Sequence, residues 1–171
     1  MTPHALRLMY RDAIERFDDV QALRSIRLSS NGSHLFELLA FELLLKFVHN
    51  TTTPESGLAR GHRYHEIFAV LPQELQDDLL RVAGERIGPS DLRNHVPVLA
   101  DWSHNFVALR YPYEKYRNDT TEAYVKRGDD WQAAGSQLET ADFRFHPEEL
   151  FGMLHALRAE AARRFAELPP G

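Results

Sequence analysis

The densest group of chemistry-bearing side chains in this sequence is Arg110, Tyr111, Tyr113 and Glu114, at the end of a stretch otherwise built for a core. A guanidinium flanked by phenols can hold a phosphate or stack on a base. The same Arg can instead be buried and paired with Glu42 or Glu37, which would explain two acids set in an apolar helix, and that structural reading is the favoured one. A second group, His62, His65 and Glu66, has the i, i+3, i+4 spacing that turns three side chains to one helix face and toward a metal. Such a site needs further ligands from another helix. Glu37 and His49 fall on nearly opposite sides of theirs and cannot both join, so helix capping and surface packing are the default and no metal is expected. The chain has no Gly-rich phosphate loop, no Gly-x-Ser-x-Gly and no His-Glu-x-x-His, and no cofactor is expected.

Composition narrows the setting. The 171 residues suit one domain that buries its own core. With no cysteine, a disulfide framework, a thiolate zinc site and a cysteine nucleophile are all excluded. Arg outnumbers Lys by 17 to 3, which favours bidentate phosphate recognition but follows equally from genome base composition. The net charge of −5 argues against nonspecific binding along a nucleic-acid backbone. All of it resides in residues 128–149, where Asp129, Asp130, Glu139, Asp142, Glu148 and Glu149 face the single cation Arg144. The rest of the chain is close to neutral and leaves room for a local Arg cluster. The first residues lack the apolar run of a signal peptide, and no later run approaches the roughly 18 residues of a membrane span. A cytoplasmic location without membrane contact is the expectation.

The elements that must position these groups read as helices. Leu6, Met9, Ala13, Phe17, Val20 and Leu23 recur every three or four residues and predict a first helix over 5–28. SSNGS at 29–33 is a turn, and SHLFELLAFELLLKFVH predicts a central helix over 33–49, with Glu42, Lys46 and His49 on one narrow polar stripe. Glu37 lies opposite that stripe and must be at the helix end, paired or functional. Residues 50–61 are loop chemistry. A third helix starts near His62 and is divided by Pro72; Gly88 and Pro89 stop its second piece. Val98, Leu99, Trp102, Phe106 and Leu109 predict a fourth helix that Pro112 ends or kinks. Residues 115–146 read as an irregular acidic excursion with a helical turn around Glu122 to Lys126. A last helix runs from HPEEL to about Leu168, with Pro147 first and two acids in its opening turn. The expectation is a single all-α domain over 1–171, an up-and-down bundle of about five helices.

In that order the signals resemble the HEPN family, the higher eukaryotes and prokaryotes nucleotide-binding domain. The resemblance rests on the second helix with Glu42-x-x-Leu45-Lys46, the loop, and Gly61-His62 opening Glu66-x-Phe68-x-x-Leu71-Pro72. Phe106, Arg110-Tyr111 and Tyr113-Glu114 are similar to a later segment of some branches. The resemblance covers about residues 20–115. It implies a bundle that commonly dimerises, and a family of metal-independent ribonucleases, partners of nucleotidyltransferases and noncatalytic binding modules in toxin-antitoxin and defence systems.

The ribonucleases of that family carry an Arg followed four to six residues later by a His. Arg stabilises phosphate charge, and His moves a proton to or from the 2′-hydroxyl or leaving group. Arg60-x4-His65 and Arg27-x6-His34 fit the spacing, but the family's pair belongs to the helix corresponding to Val98 through Glu114. There His104 precedes Arg110, the reverse order, and position 115 is Lys. In the family's AMP-modified variant a Tyr stands two residues after the His, where this chain has Ile67. The leading expectation is a noncatalytic or divergent nucleotide- or RNA-associated module, with His62, Arg110, Tyr111, Tyr113 and Glu114 as ligand-binding candidates. The alternatives are a dimeric metal-independent endoribonuclease using Arg60, His65, His104 or Arg110, and a scaffold that binds a protein partner through the acidic 128–149 segment.

Overall fold

The computed structural model describes residues 1–26 and 31–169. All regular structure among them is helical, in eight α-helices of which six are substantial, and there is no strand. The order is α1 Pro3–Ile26, α2 Asn31–Thr52, α3 Tyr64–Ala69, α4 Gln73–Ile87, α5 His95–Ala108, α6 Pro112–Tyr116, α7 Thr121–Ala133 and α8 Pro147–Glu167. None of the described helices is long and apolar enough to cross a membrane.

Helix α2 is the centre. It packs against α1, α3, α5 and α8, and most of its side chains are buried, including Phe41, Leu44, Leu45, Phe47 and Val48. Each fully buried side chain of that size contributes about 1.5–3 kcal/mol by leaving water, which fixes α2 inside despite its charged stripe. Helix α1 buries Leu6, Ala13 and Val20, spaced by seven, and packs Met9, Tyr10 and Phe17 at the edge of the core, Tyr10 between Phe47 and Phe165. Helix α8 packs on both α4 and α2, and Gly152 lets its backbone approach α4 so closely that a Cβ there would lie 3.0 Å from the Ala83 carbonyl oxygen. Helices α3 and α5 close the remaining side, with Phe41 set edge-on against both Tyr64 and Trp102.

Two expectations need correction. The count of about five helices is too low: Pro72 separates α3 from α4, the fourth helix ends at Ala108 and a short α6 opens at Pro112 in keeping with the break expected there, and α7 is a further helix. The excursion at 115–146 is not irregular as a whole: α7 gives it thirteen helical residues, started by Thr120, whose hydroxyl accepts the Ala123 amide. Helix α7 buries no residue in the core, so no apolar period announces it. Three of the acids of 128–149 have partners. Asp130 pairs with Lys126, Asp142 pairs with Lys115, and Glu149 accepts the Asp91 amide. Residues 141–146 run back across α5, pinned where Trp102 Nε1 donates to the Phe145 carbonyl at 3.1 Å and Asn105 Nδ2 to the Arg144 carbonyl at 2.8 Å.

Candidate functional site

Glu42 is the hub of the most connected polar cluster. Its position on α2 puts it at the face covered by the 53–63 loop and α3, where the residue is only 6% exposed. Its Oε1 accepts from Lys46 Nζ at 2.8 Å, the i, i+4 pair legible in the sequence. Its Oε2 lies 2.6 Å from His62 Nδ1 and accepts the Tyr64 hydroxyl at 3.0 Å. A buried carboxylate needs such company, because an unpaired one costs several kcal/mol.

The loop before α3 delivers the histidine. Gly61 sits at φ 71°, a left-handed conformation that glycine adopts without strain, and His62 follows it directly. The Asn50 side chain holds the loop from the end of α2 by accepting the Ala59 amide at 3.0 Å, and Ser103 on α5 accepts the Tyr64 amide at 2.9 Å. The Tyr64 hydroxyl is pushed well above the usual phenol range, by burial first and then by Glu42. It stays a proton donor to the carboxylate at any ordinary pH.

Arg110 completes the cluster from the other side. Its Nε donates to the Phe106 carbonyl at 3.0 Å and its guanidinium lies 4.3 Å from the Phe106 ring centroid. The His62 ring sits 4.9 Å from the same ring. One aromatic side chain therefore seats both groups, and Arg110 Nη2 comes to 3.5 Å from His62 Nε2. Arg110 is exposed and the His62 side chain is 40% exposed, so both reach solvent while Glu42 stays beneath. The carboxylate accepts only, which makes His62 donate from Nδ1 and leaves Nε2 to the solvent side. The Arg110 guanidinium beside this ring is a point of attachment for an anionic oxygen, which Nε2 joins as a donor when the imidazole carries its second proton. Tyr111 and Tyr113, 58% and 67% exposed, stand edge-to-face beyond Arg110 with ring centroids 6.4 Å apart.

Of the residues expected in a site, the structure joins His62 and Arg110, with Tyr111 and Tyr113 next in the chain and Glu114 exposed at the start of α6. It does not join the others. Arg60 is exposed and makes no hydrogen bond or ion pair among the described residues; His65 has its Nε2 3.9 Å from its neighbour Glu66. His104 stacks over Phe143, with centroids 6.0 Å apart, while the hydrogen bonds of Arg110 go to Phe106 and His62. Arg27 lies outside the described residues, and so does that half of the Arg27-x6-His34 pair. The favoured pairing of Arg110 directly with Glu42 or Glu37 is also corrected: His62 stands between Arg110 and Glu42, and Glu37 pairs with Arg24 at 2.6 Å. Among the described residues no three acids or histidines are grouped to hold a metal. Sequence reading missed Tyr64 and Ser103; the spacing Gly61-His62-x-Tyr64 was the available signal for the first.

Comparison with protein-family models, curated proteins and solved structures finds no match to this chain in any of the three.

Proposed function

We propose that this chain is a HEPN-like, nucleotide- or RNA-associated helical module, an up-and-down bundle that works as a homodimer, and that Arg110 and His62 hold a phosphate of its ligand. The setting implied by the resemblance is bacterial stress, defence or toxin-antitoxin biology, with a nucleotidyltransferase as the kind of protein partner expected there. The observation that carries the reading is the seating of Arg110 and His62 on one ring, Phe106, with Glu42 fixing the imidazole from below. Those are the residue types that recognise phosphate by charge-assisted hydrogen bonds, and the exposed Tyr111 and Tyr113 beside them supply faces for a base.

One observation favours a second reading, a metal-independent endoribonuclease. A carboxylate that holds Nδ1 orients Nε2 for proton transfer, and an Arg beside it would stabilise charge on the phosphate. The two readings separate in one experiment. Purified protein is titrated against a structured RNA in excess chelator, and both binding and strand cleavage are measured, beside His62→Ala/Arg110→Ala and Arg60→Ala/His65→Ala variants. Binding lost only in the first variant, without cleavage by wild type, supports the noncatalytic module. Cleavage lost only in that variant supports the ribonuclease. RNA neither bound nor cut by wild type overturns both.

A further inference from the structure

The segment from Arg110 to Arg127 runs against the charge of the chain. Arg110, Lys115, Arg117, Lys126 and Arg127 outnumber Glu114, Asp119 and Glu122, in a protein whose net charge is −5. Four of the six tyrosines, Tyr111, Tyr113, Tyr116 and Tyr124, are interleaved with those cations. Aromatic faces alternating with positive charge are what a flexible strand of nucleotides needs, because bases stack on the rings while cations follow the phosphates.

The fold gives this segment a groove. Tyr116 of α6, Tyr124, Gly128 and Trp131 of α7, and Phe143 and Phe145 of the returning 141–146 segment line an open cavity of about 430 Å³. Tyr116 and Tyr124 meet edge-to-face, with centroids 5.0 Å apart at 75°. The cations stand at the groove's aromatic walls: Arg127 over Tyr116 at 5.7 Å and Lys115 over Phe143 at 4.6 Å. With about 100° per residue, Tyr124, Gly128 and Trp131 share one side of α7, while Glu122, Asp129 and Asp130 fall on the other. The acids of α7 therefore turn away from the groove, and the one acid in its lining, Asp142, is paired with Lys115 and Tyr116. Gly128 leaves the centre of the wall bare: a Cβ built there meets no atom within 4 Å. This explains why α7 carries Tyr124 and Val125 at 53% and 52% exposure yet buries nothing in the core.

We propose that this groove takes an unpaired base of a single-stranded RNA, whose backbone is led along α6 from the Arg110 and His62 attachment point. The proposal rests on the RNA reading above and adds the substrate form, single-stranded, and the place where a base is read. Only Tyr111 to Lys115 separate the two points, so the path spans at most about 20 Å of chain, a few nucleotides of strand.

Trp131 reports on it directly. The other tryptophan, Trp102, is fully buried in the core, so quenching on ligand addition reads the groove alone. The experiment titrates a short oligouridine and its duplexed form into wild type, Gly128→Leu and His62→Ala/Arg110→Ala, following indole fluorescence and, separately, anisotropy of a labelled strand. Gly128 lies in a helix at ordinary φ with open space before it, so leucine fills the groove without strain. Expected is quenching by the single strand and not the duplex, with affinity falling about tenfold in Gly128→Leu, in line with the loss of one stacked base. Binding unchanged in Gly128→Leu overturns the groove and leaves the Arg110 and His62 reading standing. A preference for the duplex overturns it as well. No binding of either strand to wild type overturns both.

Discussion

His62 Nδ1 lies 2.6 Å from Glu42 Oε2, and the other oxygen of Glu42 is already paired with Lys46 at 2.8 Å. The two residues carry opposite burdens, since Glu42 is 6% exposed while the His62 side chain is 40% exposed. Removing the carboxylate strands a half-buried lysine and a tyrosine hydroxyl, whereas removing the imidazole lets water take its place.

Glu42→Ala is therefore expected to cost about 3 kcal/mol and to lower the melting temperature by roughly 10 °C, as for other broken buried pairs in a chain of this size. His62→Ala is expected to cost under about 1 kcal/mol, in the range of exposed pairs. Thermal and urea unfolding of the two variants checks the order. Equal losses would mean that His62 supports the fold, and its assignment to ligand would fall.

Two glycines should respond with opposite signs. Gly84 in α4 has no atom within 4 Å of a built Cβ and no positive φ, so Gly84→Ala should raise stability by about 0.5–1 kcal/mol through lost unfolded-state entropy. Gly152 in α8 faces the Ala83 carbonyl at 3.0 Å and Ile87 at 3.1 Å, one a backbone atom that cannot swing aside. Gly152→Ala should cost about 1–3 kcal/mol by forcing α4 and α8 apart. A stabilised Gly152→Ala would place those helices further apart than described.

Glu37 and Arg24 form the second buried acid's pair, at 2.6 Å, joining α2 to α1. Arg24→Ala removes the guanidinium from a carboxylate that is 7% exposed and has His34 Nδ1 3.8 Å away, and should cost about 1–3 kcal/mol. Adding Glu37→Leu to that variant should recover most of the loss, because a buried pair is often no better than an apolar side chain of similar size. Unfolding of the single and double variants gives the coupling directly. A double variant less stable than Arg24→Ala would show that Glu37 has a further role on that face.

The fold was legible wherever a helix is committed to the core. The period of Leu6 to Val20, the apolar run of α2, the break at Pro72 and the start at Pro147 each follow from residues that must leave water or cannot donate a hydrogen bond. Helix α7 was not, because its apolar side faces a groove and its stability comes from local signals, the Thr120 cap and the Lys126 to Asp130 pair. The candidate site was half legible. Arg110 and Glu42 stood out as polar groups on apolar helices, but their neighbour could not be read from spacing. Which histidine of His62, His65 and His104 comes between them depends on how the 53–63 loop folds over α2, and that is decided by contacts such as Asn50 to Ala59 rather than by a period.

Asp142 and Tyr116 set a pH window for the groove. Tyr116 donates its hydroxyl to Asp142 at 2.9 Å, and Lys115 pairs with the same carboxylate at 3.0 Å, tying α6 to the returning segment. Burial raises the Asp142 pKa, but the hydrogen bonds from Lys115 and Tyr116 outweigh it and hold the carboxyl below its ordinary value of 3.8. A depressed carboxylate contributes stability that is complete above 3.8 and lost as pH falls through the lower folded value. Tyr116 moves the other way, pushed up from 10.0 to about 12 by burial and then by Asp142. Its contribution is complete below pH 10 and is lost as pH rises toward 12. The tie between α6 and the 141–146 segment should therefore be whole from about pH 4 to pH 10 and loosen on both sides, read by Trp131 fluorescence across a pH titration. Asp142→Asn should abolish the acid limb and Tyr116→Phe the alkaline one. Acid and alkaline limbs that survive both substitutions would assign the transitions to global unfolding instead.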